Sequence, residues 1–111
     1  MPDMNKDVRI SEIQALTLRL LLLFATKGQS GPIPSVVLFQ AVERNRKKTT
    51  FASNFRKSCH LLAENGFIHL HRNPKSLKMA YTLTPLGLIT AGELEAEAEE
   101  RERKEEAQNA R

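Results

Sequence analysis

Cysteine is almost missing from this chain: Cys59 stands alone among 111 residues, which excludes an intramolecular disulfide and fits a reducing compartment. Long hydrophobic runs are missing too. The longest, Leu20 to Ala25, spans six residues, far short of the roughly 20 that a membrane-spanning helix needs. Met1 to Arg9 does not read as a signal peptide, so the expected location is the cytoplasm. Aromatic residues are few, one tyrosine and five phenylalanines. Tyr81 and all five phenylalanines fit core or loop positions, which leaves no stacking platform of the kind that RNA and single-stranded binders use. Catalytic constellations are also lacking. His60, His69 and His71 have no acidic or second cysteine ligand beside them, so no metal site is expected. Cys59 and His60, adjacent on a helix, point about 100° apart and cannot form a nucleophile–base pair without rearrangement. The expectation is a protein with no cofactor and no enzymatic activity.

One absence is local. Between Arg44 and Lys78 nine basic residues are opposed only by Glu64, the electrostatic footprint of a nucleic-acid-binding domain. The net charge of +4 hides this polarity. Residues 1–92 carry 13 Lys/Arg against 5 Asp/Glu, whereas residues 93–111 carry 4 against 8. An anionic membrane surface is the competing partner for such charge, but it needs large exposed apolar residues, and here the bulky ones follow a core pattern. At 41% hydrophobic the chain suffices for one domain with one core. The expected division is a flexible N-terminus at 1–10, a folded domain at 11–92, and a charged, largely solvated helical tail at 93–111.

Helix signals come first along the chain. Ser11-Glu12-Ile13-Gln14 has the S-x-x-Q form of a capping box, predicting a helix from Ser11 to about Thr26 that Gly28 ends. It is apolar on both sides: Ile13, Leu16, Leu20, Leu23 and Phe24 form one stripe, Leu18, Leu21, Leu22 and Ala25 another. A helix of that kind is sandwiched, and Leu18, Leu22 and Ala25 are the candidates for contact with a second copy in a homodimer. Ile33, among Gly31, Pro32 and Pro34, suits a short edge strand. A second helix is expected from Pro34 or Ser35 to Arg44, with proline tolerated in its first turn.

The stretch from Lys47 to Asn65 carries two incompatible faces at helical spacing. Phe51, Phe55, Cys59 and Leu62 share one stripe to be buried, while Thr50, Ser53, Asn54 and Lys57 line the opposite side. Thr49 or Thr50 is the expected N-cap, and Asn65-Gly66 the stop. After Gly66 the period changes to two. Phe67 to Arg72 and Leu77 to Thr84 read as strands, joined by the turn Asn73-Pro74-Lys75-Ser76 and carrying Arg72, Lys75 and Lys78. Thr84-Pro85 then opens a last helix, anchored by Leu86, Leu88, Ile89 and Leu94. Beyond Leu94 no large apolar residue offers a seam.

The run Leu61-Leu62-Ala63-Glu64-Asn65-Gly66-Phe67-Ile68 looks like the end of a recognition helix entering a wing. Tyr81-Thr82-Leu83-Thr84-Pro85-Leu86-Gly87 looks like the Y-x-L-T-x-x-G exit from it. With this order of elements, residues Ser11 to Gly92 resemble the winged helix-turn-helix regulators of the MarR and PadR kinds. The resemblance implies an α+β, mostly α fold: a three-helix core, a β-hairpin wing and a C-terminal helix. It also implies a homodimeric transcriptional regulator that puts its third helix into the major groove of double-stranded DNA, located in the cytoplasm with the nucleoid. Arg46, Lys47, Lys48, Thr49, Thr50, Ser53, Asn54, Arg56 and Lys57 are then the candidates around the groove. Arg72, Lys75 and Lys78 would touch the flanking backbone or minor groove. No small-molecule effector site is evident. The alternative is a winged helix that docks an acidic protein, with Leu61 as an apolar spot on the basic face.

Overall fold

The structure is a computed structural model that describes residues 9–109. Most of the expected flexible N-terminus, residues 1–8, lies outside the described residues, as do residues 110–111. The elements follow in the order α1 (Glu12–Thr26), β1 (Ile33–Pro34), α2 (Ser35–Arg44), α3 (Ala52–Glu64), β2 (Ile68–Arg72), β3 (Met79–Leu83) and α4 (Pro85–Asn109).

The capping box starts α1 as expected: the Gln14 amide donates to Ser11 Oγ at 3.2 Å, and the Ser11 amide donates to Gln14 Oε1 at 3.0 Å. Gly28, just past its end, takes the left-handed conformation at φ 91°. The helix packs against α2, α3, α4 and β3. Thr17 is buried within it, its hydroxyl donating to the Ile13 carbonyl at 2.7 Å, so burial leaves no orphaned polar group. Leu18 is 0% exposed. It was expected at a contact with a second copy, but its own domain covers it completely, and only Leu22 and Ala25 of that trio stay half-buried.

Part of the cover comes from α4, which the sequence made a solvated tail after Leu94. Leu88 faces a cleft shared with Leu21 and Ala25, whereas Leu94 and Arg101 border Ile10 and Ser11. The two helices therefore run antiparallel. Ala91 and Ala98 are buried and Leu94 is half-buried, a seam at i, i+3 and i+7 in which small residues admit close approach. Arg19 Nε meets Glu95 Oε2 at 2.8 Å across it. Only residues 99–109 are uniformly exposed. Among the described residues no helix is long and apolar enough to cross a membrane.

The sheet has the order β1-β3-β2, antiparallel throughout, with Ile33 and Leu70 flanking Tyr81. β1 is thus an edge strand, as Pro34 requires. Phe55 sits at the centre of the core, 5.3 Å from the Phe39 ring and 6.4 Å from Tyr81. Both main strands are shorter than expected. Leu77 is not in β3: Asn73 Oδ1 accepts from the Lys75 and Ser76 amides at 2.9 and 3.1 Å, and the Leu77 amide donates back to the Asn73 carbonyl at 2.8 Å. That closed turn extends to Leu77, which is exposed and held at φ 60°.

The exit from the hairpin is a small knot. Thr84 Oγ1 accepts from the Gly87 amide at 2.9 Å, capping α4, and donates to the Gly66 carbonyl. The Thr84 amide donates to the Phe67 carbonyl at 3.1 Å. Gly87 lies so close that a Cβ there would collide with the Phe67 carbonyl. The T-x-x-G pattern therefore fastens the start of α4 to the junction of α3 and β2. Leu88 and Ile89, expected as anchors of this helix, instead face outward at 49% and 63% exposure. Leu86 and Leu94 do the anchoring.

Candidate nucleic-acid interface

The two faces of α3 separate as their residue types dictate. Phe55, Cys59 and Leu62 are buried at 1% exposure or less. Ser53, Asn54, Arg56, Lys57, His60 and Leu61 are exposed opposite them. Burial pushes the Cys59 thiol up to about 12, so it is an inert apolar group. Burial likewise raises the Tyr81 hydroxyl, whose oxygen lies 3.3 Å from Ser35 Oγ. The first turn of α3 contains no acid, and no side chain caps it. Its opening amides are left to other partners at the positive end of the helix dipole.

The turn before α3 departs from expectation at three residues. Thr50, assigned to the groove face and to the cap, is 5% exposed. Arg46, assigned to phosphates, donates from Nη1 to Thr50 Oγ1 at 2.8 Å and from Nε to Glu12 Oε1 at 3.4 Å. Together they brace the turn against the start of α1, which spends both side chains inside the protein. The N-cap passes to Phe51, which has extended backbone at ψ 139°. A residue outside the helix does not follow helical period, so Phe51 leaves the apolar stripe and is 64% exposed. Leaving such a ring in water forgoes about 1–2 kcal/mol of burial. The β-branched pair Thr49-Thr50, which favours extended backbone, was the available signal that the helix starts late.

Lys47, Lys48 and Thr49 remain exposed in that turn. The hairpin, whose strand β2 packs on α3, exposes Arg72, Lys75 and Lys78. Among the described residues Arg46 is the one central cation in an ion pair. The remaining cations are thus available to an external anion. His69 and His71 lie on β2 with ring centroids 6.4 Å apart, and His71 Nε2 is 2.8 Å from Thr82 Oγ1. Among the described residues no three His, Cys, Asp or Glu side chains gather as metal ligands.

This order of helices and strands, with a short hairpin directly after the third helix, has solved counterparts. MepR, a transcription regulator of the Staphylococcus aureus multidrug efflux pump MepA, superposes with a TM-score of 0.66 at 14% identity, over 94% of this chain and 67% of that one. The E41A mutant of Lactococcus lactis ZitR gives 0.72 at 15% identity, over 99% and 67%. The fold is a winged helix. F-93 of SSV1, a chain of similar length, gives 0.61 at 17% identity over 86% of this chain and 96% of its own. MepR in complex with DNA gives 0.63 at 15% identity over 91% and 74%. No protein-family model matches the sequence, and no curated protein matches it. In this winged helix α2 and α3 form the helix-turn-helix, β2 and β3 the wing.

Proposed function

We propose that this winged helix binds double-stranded DNA and regulates transcription, with α3 in the major groove and the wing on the flanking backbone or minor groove. The observation that carries this reading is the exposed face of α3, which carries no acid before Glu64 in its last turn, is continuous in sequence with Lys47 and Lys48 and is followed by the cationic wing. Ser53, Asn54 and Lys57 read base edges, Asn54 having an amide side chain of the kind that contacts adenine through two hydrogen bonds. Lys47, Lys48, Thr49 and Arg56 meet phosphates, and Arg72, Lys75 and Lys78 extend that contact along the duplex. The structure of MepR in complex with DNA supports the reading by analogy of fold.

The acting species is a homodimer. Leu88 and Ile89 are exposed at the start of α4, Leu88 bordering a groove with half-buried Ala25, while exposed Leu23 borders another with half-buried Leu22; these residues are the candidates for the contact that loses Leu18. Twofold symmetry then matches two half-sites. Such a protein works in the cytoplasm at the nucleoid.

The competing role is docking of an acidic protein, which Leu61 favours by being 38% exposed on the basic helix. Selection of duplexes from a random pool by the purified protein separates the two. DNA binding yields an enriched, approximately palindromic sequence, whereas acidic-protein docking yields no enrichment at any salt concentration.

A further inference from the structure

Phe51 is the feature of this surface that neither charge attraction nor the core explains. Its ring is 64% exposed. It occupies the N-cap of α3, three and four residues after Lys48 and Lys47 and three before Asn54, all of them exposed. Lys47, Lys48 and Asn54 are suited to a phosphate or a base edge, so the ring stands in a stretch of chain that a duplex would engage. The major groove offers hydrogen-bonding edges almost everywhere and one apolar group, the C5-methyl of thymine, to which apolar side chains pack. Apolar wedges that unstack base steps enter instead from the minor groove, which is not where the start of a recognition helix lies.

We infer that Phe51 is a specificity-determining residue that packs its ring against a thymine C5-methyl in the major groove, so that the protein selects thymine at one defined position of each half-site. This inference rests on the DNA-binding reading above and adds to it a base preference carried by a hydrophobic contact. With Thr50 turned inward to Arg46, the chain leaves Phe51 at the N-cap, outside the helical stripe and exposed.

The test uses the duplex enriched by the selection, with each thymidine replaced in turn by deoxyuridine, which differs only by lacking the methyl group. Wild-type protein should lose affinity about fourfold at one position per half-site, the factor expected for burying one methyl-sized group. Phe51→Ala should bind the thymidine and deoxyuridine duplexes equally, while Phe51→Leu should keep part of the difference. Both variants should melt like the wild type, because the ring supports no core contact. Equal binding of both duplexes by the wild type at every position would overturn the inference and leave DNA binding intact. Discrimination that survives in Phe51→Ala would overturn it as well. Failure to enrich any duplex would overturn the DNA reading itself and the inference with it.

Discussion

Asn54 and Lys75 are both exposed polar residues, one on α3 and one at the tip of the wing, and their substitution should leave opposite signatures on DNA. Asn54→Ala should cost about 1–3 kcal/mol on the preferred duplex and little on a scrambled one, because a bidentate base contact carries sequence information. Lys75→Ala should weaken both duplexes together. Competition titrations with the two duplexes measure this, and equal weakening of both by Asn54→Ala would remove base reading from α3. Cys59 makes a different prediction. Its thiol, held near 12 by burial against an ordinary 9.0, should resist iodoacetamide at pH 8 in the native protein and react fully in denaturant. Below pH 9.0 the thiol is protonated in both states. Between 9.0 and about 12 the unfolded chain releases a proton that the folded chain keeps, so stability should fall across that window. Residue types alone disclosed the exposure of Ser53, Asn54 and Lys57. They did not disclose that Arg46 would turn inward to Glu12, because that pairing joins residues 34 apart in sequence.

Among the elements, α4 carries the firmest mechanical role. Gly87 admits the Phe67 carbonyl against its own Cα, and any side chain there collides with backbone that cannot rotate away. Gly87→Ala should therefore destabilise the domain by about 1–3 kcal/mol or more, the range of overpacking, whereas Gly92→Ala, with nothing near its Cβ, should be neutral or slightly stabilising. Thermal melts of the two variants side by side check this, and equal melting would show that the knot around Thr84 carries no strain. The capped start of α1, the glycine stops at Gly28 and Gly66, and the wing were legible in the sequence because caps, glycines and alternation are local signals; the start of α3 at Phe51 was not. The packing of α4 on α1 was not. A large apolar residue is the usual sign of a buried helix face, and here Ala91 and Ala98 supply the seam with hardly any hydrophobic bulk. Leu88 and Ile89 misled in the opposite sense, since apolarity marks a face for burial without saying whether the same chain provides the cover.

For the whole molecule, the proposed dimer draws on exposed Leu23, Leu88 and Ile89, and Ile89→Glu should give monomers by light scattering while the monomer keeps its melting behaviour. A wild type that remains monomeric at high micromolar concentration would contradict the dimer. The electrostatic claim is larger and is settled by the salt dependence of affinity for the selected duplex. With about four to six phosphates contacted per subunit, log affinity should fall against log salt concentration with a slope of about −4 to −5 per subunit, and Lys47→Ala combined with Lys48→Ala should make it shallower by roughly two contacts. A slope near zero, or one that the double substitution leaves unchanged, would show that the basic face of α3 and its preceding turn does not meet DNA.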